Sequence, residues 1–452
     1  MMENVKKALS ARGIAVEILN RIELQGAYAE PLLDFYLSGN KIMNRQDKGL
    51  ITELVYGVLR NRNKLDWAIA GIYTGNFDTM EIPVRNILRT GVYQLLTADR
   101  IPPFAVVNEA VEIARNIRPQ ATALVNAVLR NTIRKKEQMV WPEIAGDATR
   151  AISVLYSHPA WIVECWREFY GIEETIALCR GNNEIPSLTV RVNTLKTSRE
   201  QMIAALKRDG VAVEPTRYSP EGIILVDNFA RLRETDAFRQ GMLRVQDEAS
   251  QLIAHLLAPQ PGEQILDLCA GAGGKTLHLA ALMQNRGEIT AVDKNRNKLN
   301  QLVTEATRLG VTIVRIVQGD GAKKSTTAGK IFDRVLVDAP CSGLGTLRRN
   351  PEIRWRLTCQ DILVLQQKQK SLLKNAAESV RPGGCLVYCV CTTTPEETGA
   401  IVADFLKSDE RFKLRQPFNL PSGVITAEGF LRTFPHHHFL DGFFGAVFVR
   451  NK

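Results

Sequence analysis

Hydrophobic positions recur at helical spacing through the first third of the chain. Ile14, Ile18, Leu19 and Ile22 share one helix face, as do Leu50, Leu54, Val55, Val58 and Leu59, and later Leu124, Val128, Leu129 and Ile133. The pattern predicts an all-helical domain over residues 1–145, ending in a linker made of the charged run Arg134-Lys135-Lys136-Glu137 and the breakers around Trp141-Pro142. Between 150 and 240 the rhythm changes. Residues 187–193 and 222–226 read as strands around a helix at 198–206, a small α/β subdomain. From 241 to 452 short apolar runs alternate with helical stretches. Strands at 264–269, 288–292, 312–317, 334–337, 385–390 and 443–449 predict a parallel sheet with crossover helices. Ligands of such sheets bind beyond the carboxyl ends of the strands, which is where chemistry is expected.

Those strand ends carry unusual residues. The first breaks into Cys269-Ala270-Gly271-Ala272-Gly273-Gly274-Lys275, where glycines let the backbone turn sharply and approach a ligand. The second ends at Asp293, where a carboxylate can take both hydroxyls of a ribose, and the third at Asp320, an acceptor for an adenine amino group. Taken together these three ends imply an adenosine-bearing ligand. The turn is not G-x-G-x-x-G, which argues against NAD, and the next strands end in thiols, which favours S-adenosylmethionine. The fourth strand runs into Asp338-Ala339-Pro340-Cys341-Ser342-Gly343, and the fifth into Tyr388-Cys389-Val390-Cys391-Thr392.

Thiols at that edge fit one reaction well. C5 of cytosine is too electron-poor to attack a methyl sulfonium, but a thiolate adding to C6 makes C5 nucleophilic, and an acid such as Asp338 near N3 stabilises the adduct. Strand alternation puts Cys389 and Cys391 on one face, so spacing leaves the choice between them open, with Cys391 nearer the ligand edge.

Composition narrows the setting. The chain has 452 residues, enough for two or three domains, and no apolar segment of membrane-spanning length, so a cytoplasmic protein is expected. Its eight cysteines form no C-x2-C pair, which predicts free thiols, and His436-His437-His438 lacks suitably spaced partners, so no metal is expected. The net charge is +10, and seven of those ten excess positive charges fall in residues 241–452, pointing to an anionic partner for the part bearing the thiols. Between the thiol motifs, Arg348, Arg349, Arg354 and Arg356 surround Trp355, the residue types that hold phosphates and stack on unpaired bases; these five are candidate RNA contacts.

The motifs resemble those of the RNA cytosine-C5 methyltransferases, most closely the bacterial 16S ribosomal RNA methyltransferase B (Sun/Fmu) group. The segment Asp338 to Gly343 matches the family's Asp-Ala-Pro-Cys-Ser-Gly fully, Gly273-Gly274-Lys275-Thr276 is kept in the cofactor turn, and Val55-Tyr-Gly-Val-Leu-Arg60 with Leu65-Asp-Trp67 resembles the family's helical domain. Departures are Gly271 and Ala272, where Ala and Pro are usual, and Cys389 and Val390 in place of Ser and Thr. The resemblance implies a NusB-like all-α domain, a small linking subdomain and a class I (Rossmann-like) methyltransferase domain, acting as a monomer on 16S ribosomal RNA with S-adenosylmethionine. It assigns Cys391 as nucleophile and Cys341 as helper in product release, whereas DNA cytosine methyltransferases use the Pro-Cys thiol as nucleophile. The competing readings are a non-catalytic RNA-binding or ribosome assembly factor with the same fold, cytosine-C5 methylation of another RNA, and a DNA cytosine methyltransferase.

Overall fold

A computed structural model describes residues 9–452 except 39–42, 99–100, 227–231, 233–234, 324–325 and 327–328. The chain forms two compact units, one made of residues 1–183 with 349–356, the other of 184–348 with 357–452.

The first unit is helical. Helices α1 (Ala11–Gln25), α2 (Ala29–Ser38), α3 (Arg45–Ala70), α4 (Ile82–Thr97), α5 (Pro103–Ile117) and α6 (Thr122–Lys135) enclose one apolar core, and α7 (Ala148–Leu155), α8 (Ala160–Tyr170) and α9 (Ile172–Asn183) extend the unit. The periodic residues of the sequence, Ile14, Ile18, Leu19, Ile22, Leu54, Val55, Val58, Val128 and Leu129, form that core. The sequence pattern starts the small subdomain at 150, but residues 148–183 form three helices, α7 to α9, that group with the helical unit. Trp166 at 0% exposure and Ile162, Val163 and Leu178 supply the apolar faces of these helices.

In the second unit, β1 (Leu188–Val192), α10 (Arg199–Arg208), β2 (Val213–Pro215), β3 (Gly222–Leu225), α11 (Asp236–Arg239) and β4 (Leu243–Val245) make a four-stranded antiparallel sheet of order β2-β3-β1-β4. The α10 start is set by a capping box between Ser198 and Gln201. There follow α12 (Glu248–Leu257), β5 (Gln264–Asp267), α13 (Gly274–Leu282), β6 (Glu288–Asp293), α14 (Arg296–Leu309), β7 (Val314–Gln318), β8 (Phe332–Asp338), α15 (Cys359–Glu378), β9 (Val380–Val390), α16 (Gly399–Ser408), β10 (Phe412–Leu414), β11 (Leu431–Arg432), α17 (Pro435–His438) and β12 (Phe444–Arg450).

The large sheet has the order β10-β12-β9-β8-β5-β6-β7, with β5 to β9 parallel, β12 antiparallel to β9, and β11 on β12. This is the topology expected of a class I (Rossmann-like) methyltransferase fold. Chain order reverses between β5 and β8, so a crevice opens at their carboxyl ends. Three apolar clusters fill the unit, one containing Leu252, Leu277, Ile289 and Val387, one Leu266, Val335, Leu386 and Phe448, and one under the small sheet containing Val190, Leu206 and Ile223. No helix among the described residues is long and apolar enough to cross a membrane.

Candidate active site

The crevice holds about 480 Å³, within the usual range for a small-ligand site. Cys269, Ala270, Gly271, Ala272, Gly274 and Lys275 line it from the turn after β5, and Asp293, Asp320 and Asp338 from the ends of the neighbouring strands; Cys341 and Cys391 close the same space. Gly273 shapes the turn without lining the crevice: its φ is +80°, and a Cβ there would come within 2.6 Å of Leu302.

Support for the turn comes from residues the sequence reading passed over. Arg191 and Arg244 of the small sheet donate to its carbonyls, Arg191 Nη1 to Gly274 O at 3.0 Å and Arg244 Nη2 to Ala272 O at 2.9 Å. Arg191 is 2% exposed, and burial, with Arg244 nearby, lowers its guanidinium to about 9. The Asp293 carboxylate accepts from Gly271 N at 2.9 Å and Asn295 N at 2.7 Å, so the acid is held by backbone at the point where the ligand pocket begins. Lys294, Lys298 and Lys368 also line the crevice; nothing in their local sequence marks them, because they converge from separate elements.

Lys275 reaches Asp338 at 2.6 Å. Burial works against its charge, but the Asp338 carboxylate outweighs that and holds the ammonium above its ordinary range. Beneath it, Asp267 is 1% exposed and accepts from Thr276 Oγ1 at 2.7 Å; burial pushes its carboxyl up to about 7. A folded-state value above the unfolded one, about 4, favours the fold at low pH, and that contribution is lost as pH rises from about 4 through 7. Asp267→Asn is therefore expected to flatten the stability decline across this window, by at most about 4 kcal/mol, in denaturant melts at pH 4.5 and 8.

The two cysteines left open by spacing are separated by the fold. Cys389 is 0% exposed within the apolar core, its Sγ 3.3 Å from Asp338 Oδ1, and burial followed by that carboxylate raises its thiol well above the ordinary value. Cys391 lies just past β9, half-buried on the crevice, and its Sγ is 3.4 Å from Cys341 Sγ. The shared hydrogen bond, then burial, raises Cys341 well above its ordinary value. Gly345 N donates to Cys391 O at 3.0 Å and Gly345 O accepts from Gly442 N at 2.7 Å, so backbone pairing fixes the loop after Cys341 against the end of β9 and the segment leading into β12.

The arginine cluster does something else. Arg348 and Arg354 are 3% and 0% exposed, so as placed neither offers a guanidinium to a phosphate. Arg348 Nη2 donates to Phe439 O at 3.2 Å. Arg354 is spent on Ser157 O at 2.9 Å and Asn183 Oδ1 at 2.8 Å, and burial lowers it to about 9. Trp355 packs against the helical core, donates to Leu59 O at 2.8 Å and lies under Arg62. Arg348, Arg354 and Trp355, expected at an RNA surface, are placed inward for one reason: guanidinium forks and an indole satisfy buried carbonyls and an apolar face as well as they satisfy RNA. Arg356, stacked 4.4 Å from the Tyr28 ring, keeps an exposed position, and Arg349 is half-buried.

Three family models match the chain: one described as 16S rRNA methyltransferase RsmB/F over residues 254–449, the NusB family over 9–134, and an RsmF/B-like ferredoxin-like domain over 158–230. The chain is 36% identical to a probable ribosomal RNA small subunit methyltransferase B of Synechocystis sp., over 96% of this chain and 98% of that relative. The crystal structure of PH0851 superposes with a TM-score of 0.83 at 28% identity, covering 99% of this chain and all of that one. NSun6 from Pyrococcus horikoshii, solved with SFG, gives 0.60 at 26% identity over 66% of this chain and 100% of that one.

Proposed function

The chain belongs to the RsmB/F family of ribosomal RNA methyltransferases, and from that premise we propose that it methylates C5 of a cytosine in 16S ribosomal RNA, using S-adenosylmethionine and a covalent adduct on Cys391. The observation that carries the chemistry is the pair of thiols 3.4 Å apart at the mouth of a crevice lined by Asp293, Asp320 and Asp338.

The crevice suits S-adenosylmethionine in size and in donor set, and a related structure was solved with SFG, an analogue of it. When bound, S-adenosylmethionine supplies an activated methyl group. Asp293 would hold the ribose hydroxyls and Asp320 the adenine amino group, with Cys269 to Lys275 forming the floor. Cys391 adds through Sγ to C6 of the cytosine, a C6–S bond forms, and C5 becomes nucleophilic. Asp338, oriented by Lys275, stabilises the ring at N3. Once C5 is methylated its proton passes to solvent water in the crevice, the C6–S bond breaks to return the Cys391 thiolate, and Cys341 assists by donating its hydrogen bond to the departing sulfur. The target base must leave its stack to be attacked, so an unpaired loop is the substrate form, with the exposed Arg356 and the half-buried Arg349 kept as backbone contacts.

The reading is tested by incubating the protein with S-adenosylmethionine and small-subunit RNA containing 5-fluorocytosine. Fluorine blocks loss of the C5 substituent, so a denaturation-resistant protein–RNA adduct is expected. Cofactor binding with no adduct would overturn the reading in favour of a non-catalytic assembly role. Asp293→Ala is expected to weaken S-adenosylmethionine binding about 10–100-fold in calorimetry, the loss typical of hydrogen bonds to a charged group; unchanged affinity would move the ribose elsewhere.

A further inference from the structure

Glu397 lies outside the cofactor turn and both thiol motifs, yet it is 0% exposed and sits at the end of the short turn Pro395–Glu397. One carboxylate oxygen accepts from Ser342 N at 2.9 Å and Gln369 Nε2 at 2.9 Å. The other accepts from Ser342 Oγ at 2.5 Å, Thr394 Oγ1 at 2.8 Å and Thr392 Oγ1 at 3.1 Å. Ser342 immediately follows Cys341, and Thr392 immediately follows Cys391. Gln369 also donates to Pro340 O at 3.1 Å, and Tyr388 Oη to the Glu397 carbonyl at 2.8 Å, tying the turn to α15 and β9.

We propose that Glu397 is a positioning residue that fastens the Cys341 loop to the Cys391 loop and, through its negative charge, keeps the proton of the thiol pair on Cys341. This rests on the catalytic reading of the pair given above. All five donors to the carboxylate are neutral, so its charge is not cancelled by an ion pair with any of them and acts on what lies beside it. The groups around the pair are polarised: Glu397 takes two of its five bonds from Ser342, beside Cys341, whose thiol its charge helps to raise, and one from Thr392, beside Cys391, while Lys275, held by Asp338, lines the crevice with Cys391. Tyr388, itself raised well above its ordinary value by burial and by the neighbouring thiols and carboxylate, stays a neutral donor. When the pair loses one proton to solvent, the remaining one stays on Cys341, hydrogen-bonded to the Cys391 thiolate 3.4 Å away. Two chemically identical side chains thereby become a nucleophile and an acid.

The test needs neither RNA nor cofactor, so it separates this proposal from the proposed reaction. Alkylation of the full-length protein by iodoacetamide is followed by peptide mass spectrometry at each cysteine between pH 6 and 10. In the wild type, Cys391 is expected to react at least about tenfold faster than Cys341 at pH 7.5, since one unit of difference in proton affinity is tenfold in thiolate. In Glu397→Gln, which keeps an acceptor and a donor that the hydroxyls can meet, the ratio is expected to fall about tenfold and the Cys341 profile to move to lower pH. Glu397→Asp, which restores the charge one methylene further back, is expected to recover at least half of that change on a logarithmic scale. A rate ratio and pH profile unchanged in Glu397→Gln overturn the proposal, as does an Asp variant no closer to wild type than Gln. In methylation assays Glu397→Gln should lower kcat while KM for the RNA holds. A collapsed alkylation ratio in a protein that methylates no RNA would sustain Glu397 and sink the reaction instead.

Discussion

Cys391→Ala is expected to reduce methyl transfer by at least about 10³-fold and to abolish the 5-fluorocytosine adduct, because it removes the proposed nucleophile from the crevice. Cys389, two residues away, cannot substitute: it is sealed in the core beside Asp338. Cys341→Ala should behave differently. The adduct still forms, but without the hydrogen-bonding partner 3.4 Å from the leaving sulfur its breakdown slows, so a covalent complex should accumulate even on unsubstituted RNA. Denaturing gels of the two variants distinguish these outcomes. The reverse pattern, adduct lost with Cys341→Ala and kept with Cys391→Ala, would assign the nucleophile to the Pro-Cys thiol, as in the DNA cytosine enzymes.

The largest stability effect is expected at Arg89. Its side chain is 1% exposed, grips Asp66 with two bonds of 2.6 and 2.8 Å, and reaches Glu23 Oε2 at 2.8 Å and Asn86 Oδ1 at 2.9 Å. Burial would raise Glu23, but Arg89 and Arg62 together hold it below the usual carboxylate range, so its contribution is present above the unfolded value and lost as pH falls. Arg89→Met leaves two carboxylates facing an apolar chain. Breaking a buried pair from one side costs about 3–5 kcal/mol, so the helical unit's calorimetric transition should drop by many degrees and lose part of its acid sensitivity. A shift below about 1 kcal/mol would mean that Arg62, 2.8 Å from Glu23, already satisfies the site.

Much of the second unit was legible because its signals are local. The strands predicted at 264–269, 288–292 and 385–390 overlap β5, β6 and β9, and each strand end named as chemical, from Cys269 to Cys391, lies on the crevice. A sheet whose strands are buried on both faces writes itself as short apolar runs, and its carboxyl edge follows from chain direction. Glu397 was illegible for the opposite reason. Pro395-Glu396-Glu397-Thr398 reads as an exposed turn, and its value appears only when three separate segments converge on one carboxylate. The arginine cluster is a different case: whether Arg354 and Trp355 meet RNA or interior carbonyls depends on burial, which neighbouring residues do not encode.

The placement of residues 349–356 within the helical unit bears on how the polypeptide is made. The unit's other residues end at 183, so its final pieces, Trp355 on the core and Arg354 on Ser157 and Asn183, leave the ribosome some 165 residues later. At ordinary elongation rates that interval is on the order of ten to thirty seconds. For that time the carbonyls of Leu59 and Ser157 lack the donors they have in the finished fold. The helical unit is therefore completed only once residues 184–348 of the other unit have been translated.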